Sequence, residues 1–131
     1  MKTSHIAIVV RNNLEEKIEF WKRLLDTENV DECDIMGMKT IIIRGAETAV
    51  ELLYPLIEEC PIKDSPEGFH HITFSTKDLD SVLDRTKDSV VKHSPKIEFE
   101  RLHEAGTITF IDSPEKSGNV LVELAQLKEK E

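Results

Sequence analysis

The sequence predicts an α+β fold made of two copies of one pattern: a strand, a helix, then further strands. Two internal echoes predict it. Ser4-His5-Ile6-Ala7-Ile8 returns as His70-His71-Ile72-Thr73-Phe74, and each copy precedes an amphipathic helix. Ala49-Val50-Glu51-Leu52-Leu53 returns as Leu121-Val122-Glu123-Leu124-Ala125. Each half therefore opens on a strand with histidine and closes on a strand with glutamate. Two copies of roughly 65 residues make a duplication and not a solenoid. The third observation is an antiparallel hairpin over 38–54, with Gly45-Ala46-Glu47-Thr48 as its turn.

In chain order, Ser4 to Val10 alternates as a strand. Asn13 is expected to cap the first helix, with Glu16 as its capping-box partner. Leu14, Ile18, Trp21 and Leu25 form its apolar stripe. The acidic stretch 26–37 is expected to be irregular, with a single strand near Val30. Met38 to Arg44 and Ala49 to Tyr54 are strands, the second stopped by Pro55. Leu56 to Pro66 reads as a linker and lid. Gly68 to Ser75 is the next strand. Lys77 or Asp78 opens a helix striped by Leu79, Val82 and Leu83. Val90 to Lys96 is expected as a loop. Ile97 to Leu102 and Thr107 to Ile111 are strands joined by a turn over 103–106. Asp112 to Asn119 is another turn, Val120 to Ala125 the last strand, and 126–131 a frayed charged tail.

The 131 residues carry a formal net charge of −9, which argues against nucleic acid and anionic membrane surfaces as partners. There is no apolar run of membrane-spanning length and no signal-peptide core. Cys33 and Cys60 are too few for a disulfide framework, and neither has a partner at zinc-site spacing, so a cytoplasmic location is expected.

Parity gathers the chemistry. His5 shares a strand face with Ala7 and Val9, and His71 with Thr73 and Ser75. Glu51 lies with Leu53, and Glu123 with Ala125. The opposite faces are apolar and suit packing against the helices, so both histidines and both glutamates turn away from them. Carboxylates placed there need countercharge or hydrogen bonds. Two imidazoles and two carboxylates without thiolate suit a divalent metal such as Zn, Co, Ni, Mn or Fe(II).

The stretches His5-Ile6-Ala7-Ile8, Val50-Glu51-Leu52-Leu53-Tyr54-Pro55-Leu56, Gly68-Phe69-His70-His71-Ile72-Thr73-Phe74 and Val120-Leu121-Val122-Glu123-Leu124 resemble the vicinal oxygen chelate superfamily, and within it the methylmalonyl-CoA epimerases. The resemblance implies a single domain over 1–131, with module 1 at about 1–57 and module 2 at about 68–127. It implies tandem βαβββ modules forming a cupped eight-stranded mixed sheet around a metal site. The family's metal ligands match His5, His71 and Glu123, and Glu51 matches a position filled by Gln or Glu. The cofactor is then a divalent metal ion (Co, Ni, Zn or Mn). The expected activity is epimerisation of a methylmalonyl-CoA-like thioester, with Glu51 and Glu123 as catalytic acid and base. The expected partners are an acyl-CoA-like small molecule and a second copy of the chain in a homodimer. The alternatives are a glyoxalase-type lactoylglutathione lyase and a metal-free small-molecule binding protein on the same scaffold. Some epimerases carry a further Glu on the strand where this chain has Thr40 or Ile41. Arg44, at the end of the hairpin strand, is a candidate anchor for an anion.

Overall fold

The computed structural model describes residues 1–87, 92–101, 104–112 and 114–128. Its elements are β1 (Lys2–Val9), α1 (Leu14–Leu24), β2 (Val30–Ile35), β3 (Met38–Arg44), β4 (Ala49–Pro55), β5 (Gly68–Ser75), α2 (Leu79–Thr86), β6 (Ile97–Glu100), β7 (Ala105–Ile111), α3 (Pro114–Ser117) and β8 (Val122–Leu127). The fold is α+β, with eight strands in mixed parallel and antiparallel pairing. Two compact units divide the chain: His5–His70, and Met1–Ser4 together with His71–Glu131.

In the unit His5–His70 the strand order is β2-β3-β4-β1. β1 runs parallel to β4, and β2, β3 and β4 are antiparallel neighbours. Ile41, Ile43, Val50 and Leu52 meet Ile18 of α1 on one face, with Leu14, Trp21 and Leu25 packed against the cluster. That is the expected helix stripe. Asn13 stands at the N-cap as expected, but without the expected side-chain cap. Asn13 takes a left-handed conformation (φ 52°), and its side chain makes no capping hydrogen bond.

The expected strand near Val30 is present as β2, and it takes up six residues of the stretch 26–37. Met36 and Gly37 both have positive φ (52° and 76°), the conformation of a tight hairpin turn. Three acidic residues on β2, Asp31, Glu32 and Asp34, suit the edge of a sheet and hide the strand from a hydrophobic reading. Pro55 does not stop β4 but is its last residue, opposite Met38.

The expected linker folds back onto its own unit. Ile62 is fully buried against Ala7, Val9, Met38 and Leu53. The Arg11 guanidinium donates to the carbonyl oxygens of Ile62, Lys63 and Ser65. The Arg11 backbone N–H donates to Glu67 Oε1 at 3.1 Å, and Lys17 Nζ lies 3.4 Å from the same oxygen. The segment is thus a strap laid across one end of the face that carries Glu51.

In the other unit the order β6-β7-β8-β5 repeats that of the first. β5 and β8 are parallel, and β6, β7 and β8 are antiparallel neighbours. Asp78 caps α2 as expected, accepting from the Ser81 backbone N–H at 3.1 Å. Leu79 and Val82 are buried with Leu124, and Leu83 packs against them. Four residues of the expected turn at 112–119 form α3. The expected strand end at Leu102, the turn residue His103, the loop start at 90–91 and the tail 129–131 lie outside the described residues.

Candidate metal and proton-transfer site

The register lines up the two halves residue for residue. Ala7 of β1 pairs with Glu51, which in turn faces Ile42 across β3. Thr73 of β5 pairs with Glu123, which faces Phe110 across β7. Each histidine stands two residues before the paired strand position, so His5 shares a face with Ala7 and His71 with Thr73. All four candidate side chains are buried: His5 is 8% exposed, Glu51 4%, His71 2% and Glu123 7%.

In the unit His5–His70, His5 Nε2 lies 3.5 Å from Glu51 Oε1. In the other unit, His71 Nε2 lies 3.8 Å from Glu123 Oε2. Both gaps exceed a normal hydrogen bond. Two nitrogen or oxygen ligands held about 2.0–2.2 Å from one ion sit roughly 3–3.5 Å apart; the His5–Glu51 gap of 3.5 Å meets that spacing and the His71–Glu123 gap of 3.8 Å slightly exceeds it. The donor set is imidazole and carboxylate, and it fits a borderline or hard divalent ion.

The pair in the second unit has supports. Thr73 Oγ1 donates to Glu123 Oε1 at 3.0 Å, leaving Oε2 toward His71. The His71 ring stands edge-on to Phe110, with centroids 5.4 Å apart and planes at 89°. Groups behind the ligands fix ligand orientation in this way. The first unit has Ala7 and Ile42 at the corresponding places.

Two residues near Glu51 were not legible as site residues. One is His70, which is half-buried. Burial holds its imidazole below the usual histidine range, and the Glu51 charge works in the opposite direction. Asp31 was lost in the acidic stretch, yet it pairs with Ile42 and so shares the Glu51 face. Its side chain is 1% exposed, and Oδ2 lies 3.7 Å from Arg44 Nη1. The signal that finds Asp31 is the alternation Val30-Asp31-Glu32-Cys33-Asp34-Ile35, once β2 is recognised as a strand. Thr40 is buried and donates to the Cys33 carbonyl at 2.9 Å.

Comparison with known proteins agrees with this architecture. The family model of the Glyoxalase/Bleomycin resistance protein/Dioxygenase superfamily matches residues 4–110. The mitochondrial methylmalonyl-CoA epimerase of Homo sapiens is 27% identical over 133 residues, covering 95% of this chain and 73% of that protein. An ethylmalonyl-CoA/methylmalonyl-CoA epimerase of Cereibacter sphaeroides is 33% identical over 96 residues, covering 67% of this chain and 70% of its own. Among solved structures, a Streptomyces coelicolor methylmalonyl-CoA epimerase in complex with 2-nitronate-propionyl-CoA superposes with a TM-score of 0.75 at 25% identity, covering 96% of each chain. No helix among the described residues is long and apolar enough to cross a membrane. The chain belongs to the Glyoxalase/Bleomycin resistance protein/Dioxygenase superfamily, also called vicinal oxygen chelate, and falls among its epimerases.

Proposed function

We propose that this chain epimerises a methylmalonyl-CoA-like thioester by moving one α-proton between Glu51 and Glu123. The observation that carries the reading is the duplicated His–Glu pair, set by one register in both modules and buried in each. His5, His71 and Glu123 would hold a divalent metal, and Glu51, 3.5 Å from His5 Nε2, would complete the set. When bound, that ion supplies Lewis-acid stabilisation of the negative charge that develops on the substrate oxygens.

The carbon between a carboxylate and a thioester carbonyl bears an acidic hydrogen. Inversion needs a base on one side of it and an acid on the other. A Glu51 carboxylate oxygen takes the proton from one epimer, while a protonated Glu123 oxygen delivers one to the opposite side. The reverse epimer exchanges the roles. Burial of both carboxylates excludes the water that would otherwise scramble the proton. Thr73 keeps one Glu123 oxygen engaged, so the other is the one that works. Thr40, where some epimerases carry a further Glu, donates to a backbone carbonyl and leaves the acid–base work to Glu51 and Glu123.

The deciding experiment follows methylmalonyl-CoA by NMR in deuterium oxide. Exchange of the α-proton with racemisation is expected. A chain that exchanges nothing, but isomerises a glutathione hemithioacetal, belongs with the lyases instead. The homodimer is part of the same proposal: light scattering should give about twice the 15.0 kDa chain mass.

A further inference from the structure

The face that carries Glu51 also carries a built cation. Asp31, Ile42, Glu51 and Ala7 stand side by side across β2, β3, β4 and β1. Arg44 lies two residues beyond Ile42 on the same face. It pairs with Ala49, which stands two residues before Glu51. Arg44 and Glu51 are therefore diagonal neighbours, with Cα atoms roughly 7–8 Å apart, a gap the long guanidinium arm spans. Alternation puts Lys39 on the opposite face. Among the strand residues of this face, only Arg44 carries a permanent positive charge.

Its partner is unusual. Asp31 is a carboxylate with 1% side-chain exposure, and Oδ2 lies 3.7 Å from the Arg44 Nη1 atom. That oxygen has no hydrogen-bond partner among the described residues. The desolvation cost of a buried carboxylate can exceed what a cation at this distance returns. The Arg44 side chain itself remains 24% exposed.

We propose that Arg44 anchors the free carboxylate of a malonyl-type thioester, and that Asp31 is the positioning residue that holds Arg44 in place. The inference deepens the epimerase reading and rests on it. In a chain of charge −9, an acyl group with a free carboxylate gains from a local cation near the carbon that reacts. The phosphates of CoA lie a whole pantetheine arm away from that carbon, so the anion within reach is the acyl carboxylate. Arg44 is then a specificity device: it distinguishes acyl groups that carry a free carboxylate from those that do not.

The test compares methylmalonyl-CoA with propionyl-CoA, which lacks the carboxylate, by calorimetric binding to the purified protein. Arg44→Ala should weaken methylmalonyl-CoA binding about 10- to 100-fold, the range for losing a hydrogen-bonded charged contact. Propionyl-CoA binding should stay within about two-fold, which also certifies the fold. Arg44→Lys should recover part of the loss. If Arg44→Ala does not fold, Arg44→Gln preserves the arm and serves in its place. Asp31→Asn should weaken methylmalonyl-CoA alone, and should add nothing in the Arg44→Ala background, because it acts through Arg44. In steady state the loss should appear in KM more than in kcat. Equal weakening of both thioesters, or no change in either, overturns the proposal. The α-proton exchange of the unaltered protein reports separately on the epimerase reading. If it fails, the ratio of the two affinities still decides the carboxylate anchor.

Discussion

The two His–Glu pairs share one register and differ in what stands behind them. Glu123 is opposite a threonine that donates to it, and His71 leans on the edge of Phe110. Glu51 is opposite an alanine and faces an isoleucine. Beyond that isoleucine lies Asp31, and diagonally Arg44. Duplication thus copied the backbone and the ligands but not their surroundings. The Glu123 pair is braced by neighbouring side chains, and the Glu51 pair stands on a face that also carries a charged pair.

Removing a ligand should break this comparison most severely. His71→Ala and His5→Ala should each lower divalent-metal affinity by orders of magnitude, measured as metal content after dialysis. Unchanged content in either variant would remove that histidine from the metal set. Glu51→Gln and Glu123→Gln keep a neutral oxygen, and each should slow epimerisation roughly 10²-fold or more. If both retain metal and full rate, the proton is moved by other groups.

Support can be separated from ligation. Thr73→Val keeps the shape and loses the hydroxyl, and should weaken metal binding about 10- to 100-fold by competition with a chelating dye. Ala7→Gly, at the matching place, should leave that affinity nearly unchanged. Equal effects would mean the two supports are equivalent after all. His70→Ala should keep the metal, because neighbouring strand residues point to opposite faces. Its loss would place His70 in the ligand set.

The strap offers a stability test and a smaller one of pH. Ile62→Ala should cost about 2–5 kcal/mol in denaturant unfolding, as for other buried aliphatic truncations. A backbone hydrogen bond from Arg11 holds the Glu67 carboxyl below the usual carboxylate range; partial burial opposes this, and the Lys17 charge adds to it. Its contribution is therefore complete above the ordinary carboxylate value of about 4.3 and disappears as pH falls through the lowered one. Glu67→Gln should flatten that acid limb slightly, and an unaltered pH profile would show the contact to be idle.

Much of this was legible before any coordinates. Strand parity placed His5, Glu51, His71 and Glu123 away from the helices because a two-residue period leaves no third direction. The helix stripes of Leu14, Ile18 and Trp21, and of Leu79 and Val82, were equally plain. What escaped notice depended on context. β2 is an edge strand whose charged residues imitate a loop, and with it went Asp31. Asn13 looks like a side-chain cap, but the choice between a cap and a left-handed turn is made by how the chain enters the helix. Ile62 sits among Pro, Glu and Lys, and only the fold shows that it fills the end of the Glu51 face. The Thr73 hydroxyl was visible as a small polar neighbour, but its acceptor lies 50 residues away.

The division of the chain has a consequence for its birth on the ribosome. One unit is an unbroken stretch from His5 to His70, while the other needs Met1–Ser4 together with everything after His70. All the residues of the first are made by the time residue 70 is added. The second must wait for the far end of the chain to return to its beginning, a contact of high sequence separation and so a slow one. A bulky fusion at the N-terminus would then burden the half that carries Glu123 rather than the half it precedes.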